Sequence, residues 1–359
     1  MSIRLVLADS DVLYIEKLGA WIIKHMPYQF SIEIVTKQEN LQAWVDNGGK
    51  ADLIAISPTL VTDECSRMKN VVLLDDGSHP QISEQMARIN KFKPAEDLVK
   101  DFLTLCADKL PVIMNRFDLK QRMTLVLYSD GLDVINPVAP IISFMIARKN
   151  LKVFYLSLEQ IQTSDFYFST NNNKGFSEML YYIKSNKENL SMRLDACCSK
   201  DVESGINFLK SPSGLFKFED MDQRDLDSLI AAIRERNLYD ELVVAMDLNF
   251  DEKFIQALAL ADRIIFTTSN MPGSFFKLKK IMEEIQKQLS ETNVMAKSRI
   301  ILTKLCDNSA FNDEFPEIEK YYINPNTNVS KRFNYLPSEN DIQIYEQVLN
   351  DFEEKEKRK

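Results

Sequence analysis

The stretch that decides the fold reads Thr124-Leu125-Val126-Leu127-Tyr128, then Ser129-Asp130-Gly131-Leu132-Asp133-Val134-Ile135-Asn136-Pro137, then a helical pattern from Val138 to Lys149. An apolar β run feeds a polar loop, and the loop feeds a helix for which Asn136 is placed as N-cap and Pro137 as first helical residue. Lys152 to Leu158 opens the next strand. A loop that cradles phosphate at such a junction needs glycines, which let backbone amides approach the anion, and a lysine to meet its charge. This loop has Gly131 alone and no lysine. Asp130 and Asp133 add charge of the wrong sign, each costing about 1 kcal/mol at ~4 Å in bulk water and several near a protein surface.

The chain of 359 residues holds 9 glycines, where average usage gives roughly 25. No two have the spacing of a phosphate or dinucleotide loop. Its only histidines, His25 and His79, exclude histidine-rich metal clusters, so no metal site is expected. The net charge of −9 argues against general nucleic-acid affinity. Cys65, Cys106, Cys197, Cys198 and Cys306 show no paired metal-ligand spacing and read as buried thiols of a reducing cytoplasm. No apolar run reaches the roughly 20 residues that span a bilayer.

The expected fold class is α/β, with two doubly wound domains: residues 1–110, a linker at 111–122, and residues 123–359. In the first, strands are expected at Ile3–Ala8, Ser31–Val35, Asp52–Ile56 and Asn70–Leu74, with helices at Val12–His25, Gln38–Asn47 and Ala95–Ala107. Order, strand lengths and the acidic loop Asp9-Ser10-Asp11 resemble the receiver domain of response regulators, a flavodoxin-like fold. That resemblance implies paired acids at Asp9 and Asp11, and a phosphoacceptor carboxylate where Ser57 stands. Asp75 or Asp76 replaces the hydroxyl residue, and Lys91 or Lys93 beside Pro94 matches the lysine element. Without an acceptor carboxylate, aspartyl phosphorylation has no target.

In the second half, the strand–loop–helix–strand unit sits where a MinD/ParA-type ATPase, a P-loop NTPase-like fold, carries its Walker A loop. The wording Lys152-Val153-Phe154-Tyr155-Leu156-Ser157-Leu158-Glu159-Gln160, then Thr163-Ser164-Asp165, resembles the pilus-assembly proteins of the TadZ/CpaE family. That family joins an atypical receiver to a MinD/ParA-like domain, so the resemblance covers essentially the whole chain. The departures fall on the chemistry. Asn136 or Pro137 stands at the catalytic lysine, Ser157 at the switch aspartate, and Ala245 at the Walker B acid, with Asp247 a substitute only through a bulge. Thr303-Lys304 replaces the base-contacting element.

The residues of the degenerate nucleotide pocket are thus Ser129, Asp130, Gly131, Asn136, Pro137 and Asp247, with no catalytic residue expected and ATP binding disfavoured. The resemblance implies a homodimer, pilus or secretion-machinery partners, and cytoplasmic placement, polar and at the membrane surface. MinD-like proteins reach membrane through a C-terminal amphipathic helix. Here Ile342, Tyr345, Val348, Leu349 and Phe352 give the apolar spacing, while Asp341, Glu346 and Asp351 argue for packing instead. Two further readings stand beside the scaffold: an active ATP-gated ATPase, and an atypical response regulator, for which no basic recognition helix is evident.

Overall fold

Alternation along the strands decides which way each side chain faces. In the computed structural model, which describes residues 2–26, 29–77, 86–109, 121–129, 136–212, 221–235, 238–289, 294–306, 315–325 and 338–357, two compact units form. One comprises residues 1–114 with 187–196, the other residues 115–186 with 197–359.

The first unit runs β1 (Ile3–Ala8), α1 (Val12–His25), β2 (Phe30–Val35), α2 (Gln38–Asp46), β3 (Leu53–Ile56), α3 (Asp63–Arg67), β4 (Val71–Asp75), β5 (Ala87–Asn90) and α4 (Ala95–Lys109). Its five strands lie in the order β2-β1-β3-β4-β5, every pair parallel. Strand period two sends Leu5, Leu7, Leu53 and Ala55 into one core with Ile15, Leu18, Phe102 and Leu103. It sends Val6, Ala8, Ile54 and Ile56 into another with Leu41 and Cys65. Both faces are therefore covered, which is why these strands read as unbroken apolar runs.

The second unit contains β6 (Arg122–Tyr128), α5 (Val138–Arg148), β7 (Val153–Ser157), α6 (Ser164–Tyr167) and α7 (Phe176–Lys184). After α8 (Leu190–Cys197) it resumes with β8 (Cys198–Lys200), β9 (Asn207–Leu209), α9 (Gln223–Glu235), β10 (Glu241–Asp247), α10 (Glu252–Leu260) and β11 (Arg263–Ser269). It closes with α11 (Pro272–Gln288), β12 (Ser298–Thr303), β13 (Lys320–Ile323) and α12 (Glu339–Lys357). The sheet order is β13-β12-β11-β6-β10-β7-β9-β8, parallel throughout except for the antiparallel edge strand β8. From β6 the chain passes over β10 to β7 and later returns to β11 on β6's other side. That reversal makes the carboxyl end of β6 a topological switch point, the place where open α/β sheets bind ligands.

The cysteines only partly match the expectation of buried thiols. Cys65, Cys106 and Cys197 are buried, Cys198 is half-buried, and Cys306, just beyond β12, is exposed. The C-terminal helix α12 packs inward: Tyr345, Val348, Leu349 and Phe352 join Val126, Ile142 and Ile301 in the main core. Phe352 lies against two guanidinium groups, 4.4 Å from that of Arg299 and 5.5 Å from that of Arg263. Among the described residues, no helix is long and apolar enough to cross a membrane.

Candidate functional site

At the switch point, the register sets Tyr128 of β6 beside Asp247 of β10 on one side and Thr267 of β11 on the other. Ser129 is stitched to that neighbour, its amide and its hydroxyl both donating to the Thr267 carbonyl at 3.1 and 3.0 Å. Asp130 and Gly131, with the rest of the loop to residue 135, lie outside the described residues. The chain resumes at Asn136, whose side-chain amide donates to the Thr303 hydroxyl at 2.8 Å, a buried contact with β12. Asn136 therefore does not cap the helix. The N-cap is Pro137, and Val138 is the first helical residue.

The start of α5 is where an anion would meet free amides and the positive end of the helix dipole. Here every first-turn donor is missing or taken. Pro137 and Pro140 have no N–H. The Val138 amide donates to the Asn136 carbonyl at 2.8 Å, and the Ala139 amide to the phenol oxygen of Tyr128 at 2.9 Å. Val138, Ala139 and Pro140 are all buried. The phenol thus stands as acceptor where a phosphate oxygen would.

Asp247 ends β10, and its carboxylate accepts the Gln160 amide at 2.7 Å. Ala245 sits two residues back, paired with Ser157 of β7. The buried Ser157 hydroxyl donates to Glu159 at 2.6 Å, a contact closed within its own loop. Across the sheet, the Asn270 side chain accepts the Leu305 and Cys306 amides, tying the end of β11 to the segment after β12. Tyr128, Pro140, Gln160 and Thr303 carry this arrangement. Only one of these features is signalled in the sequence, the Pro-x-x-Pro spacing of residues 137 and 140, which removes two amides from one helical turn.

The first unit brings Asp9 and Lys91 together. The lysine ammonium lies 3.0 Å from one Asp9 oxygen, with both side chains nearly fully buried, while the other oxygen accepts the Asp11 amide at 2.9 Å. Asp11 turns away to cap α1, accepting the Tyr14 amide. The Tyr14 phenol donates to the Lys91 carbonyl at 2.8 Å, and its ring lies 4.8 Å from the ammonium. Burial, then the charges of Asp9 and Asp11, push this phenol up to about 12. Of the two candidate lysines, Lys93 instead pairs with Asp101 on α4. Ser57 is buried and bonds Thr59, which also bonds Ser10, so the position expected to hold a phosphoacceptor has a small hydroxyl network. Asp75 lies 3.6 Å from Arg88 and accepts the Gly77 amide. Among the described residues, no group of three or more acidic, histidine or cysteine side chains is gathered to hold a metal ion.

No protein-family model matches the chain. No curated protein matches it either. Solved structures do. The chain is similar to a ParA family ATPase from Chlorobium tepidum, at 16% identity over 64% of this chain and 91% of that one, with a TM-score of 0.45. It is similar to a plasmid partition protein from Borrelia burgdorferi bound to AMPPNP, at 16% identity over 66% of this chain and 99% of that one, with a TM-score of 0.48. It is also similar to the cell division ATPase MinD of Pyrococcus furiosus, at 11% identity over 65% and 98%, with a TM-score of 0.48.

Proposed function

We propose that this chain is a non-catalytic scaffold: a receiver-like unit joined to a MinD/ParA-like unit, each without its ancestral chemistry. The observation that carries the reading is the closed helix start, where Tyr128 and two prolines leave no first-turn amide of α5 for phosphate. Ser57, a buried hydroxyl bonded to Thr59 where the receiver resemblance calls for a carboxylate, supports the same reading in the first unit.

Joined to the resemblance to the TadZ/CpaE family, this makes the chain a factor that localises or assembles a tight-adherence (Flp-type) pilus secretion machine at the cell pole. It acts from the cytoplasm as a homodimer. We assign the dimer contact to the carboxyl edge of the second sheet, where Ile161, Phe250, Met271 and Leu305 follow four different strands with exposed side chains. Imaging a tagged protein in its host tests the pilus role. Diffuse signal, with pilus assembly intact after deletion, would end it. Calorimetry with ATP and magnesium tests the scaffold reading separately: a Kd tighter than ~10 μM, about −7 kcal/mol, would restore the active-ATPase alternative. Light scattering should give the same dimer mass with and without ATP.

A further inference from the structure

Residues 187–196 lie in the second half of the chain, between α7 and β8, yet belong to the first unit. Their fit there is specific. Met192 and Ala196 are buried in the same core cluster as Ile3, Ile22, Phe30, Phe102 and Cys106. Arg193, only 3% exposed at its side chain, reaches Asp108 at 2.6 Å and donates through Nε to the Glu188 carbonyl. Asn189 donates to the Ala107 carbonyl at 2.9 Å, satisfying an acceptor in the last turn of α4, where helices leave carbonyls without internal partners. Asp195 accepts from Gln29, just ahead of β2, at 3.1 Å. Asn186 and Asn189 take φ of 47° and 55°, left-handed turns that asparagine tolerates better than most side chains.

Apolar burial, a charge pair and a helix-end contact thus converge on one small patch, the end of the first unit where α4 finishes and β2 begins. We infer that this patch is an interaction surface whose resident partner is this chain's own segment 187–196. The segment acts as a strap that completes the first unit's core. In chain order the strap follows α7 and runs into β8. The inference does not depend on the nucleotide pocket or the pilus role.

The full chain supplies its own reporter, since both tryptophans, Trp21 and Trp44, lie in the first unit. Urea unfolding followed by tryptophan fluorescence should shift to lower midpoint in Arg193→Asp and in Asp108→Arg, and return toward wild type in the double variant with the charges exchanged. Hydrogen exchange on Met192→Asp should quicken at least roughly tenfold in α4 and β2 amides, as for a local opening, while β6, β10 and β11 keep their protection. An unmoved tryptophan midpoint in Arg193→Asp would overturn the inference. So would exchange that quickens only in the second unit, or a charge exchange that restores nothing. If Met192→Asp fails to fold, the charge-exchange series still decides.

Discussion

The phenol oxygen of Tyr128 accepts the backbone N–H of Ala139 at 2.9 Å, so the last residue of β6 plugs the first turn of α5 with its own side chain. Removing the hydroxyl would orphan a buried donor, which costs about 1–3 kcal/mol. Tyr128→Phe should therefore lower stability by that amount in denaturant unfolding. It should not create ATP affinity, because Pro137, Pro140 and the already bonded Val138 leave only one amide free. Calorimetry on this variant with ATP and magnesium should stay silent, and a clear binding isotherm would show that the plug alone had blocked the site.

The Asp9–Lys91 pair makes a different demand. Both side chains are nearly fully buried, so deleting one partner strands the other's charge, at a cost of about 3–5 kcal/mol. Replacing both with neutral groups of similar shape should recover much of that loss. Lys91→Met should unfold at clearly lower urea than wild type, and Asp9→Asn with Lys91→Met should lie between the two. Equal stability of the single and double variants would mean that the pair is not coupled.

The fold was legible because its signals are redundant. Strands such as Leu5-Val6-Leu7 and Leu125-Val126-Leu127 are apolar on both faces, as a sheet covered by helices on both sides requires, and each is followed by a helical pattern. The β5 strand was harder to read. Its sequence Ala-Arg-Ile-Asn is short and mostly exposed, with only Ile89 buried, as an edge position allows. At the candidate site the sequence shows that a lysine is absent, but not which contacts stand in its place. Nothing in the order of residues says that Tyr128 turns toward the helix eleven residues on, or that Asn136 leaves its cap to bond Thr303. The Asn136 contact depends on β12 lying two strands from β6, an order that tertiary pairing sets. Segment 187–196 shows the same limit, since its Met192 and Ala196 find their core in residues far earlier in the chain.

Alkaline pH should weaken the first unit through Tyr14. Its phenol is pushed up to about 12, first by burial and then by Asp9 and Asp11, against a value near 10 in the unfolded chain. The folded state therefore holds this proton more tightly than the unfolded one. The resulting stability is complete below pH ~10 and is lost as pH rises toward about 12. Urea midpoints reported by tryptophan should fall across that window in wild type, and the fall should be shallower in Tyr14→Phe. Matching slopes for the two proteins would remove Tyr14 as the cause.

Helix α12 gives the sharpest contrast between a surface helix and a core helix of similar sequence pattern. Its apolar face is not available to a membrane, because Tyr345, Val348, Leu349 and Phe352 are buried against the sheet. Phe352 also covers Arg299 and Arg263, which are themselves almost fully buried. Phe352→Ala should cost about 3–5 kcal/mol, the range for emptying a buried aromatic site, because it opens a cavity and bares two guanidinium groups to it. Sedimentation with anionic phospholipid vesicles should leave wild type in the supernatant. If the wild-type chain pelleted with vesicles and Phe352→Ala did not, α12 would have to leave the core to reach lipid, and the packed helix would be only one of its two states.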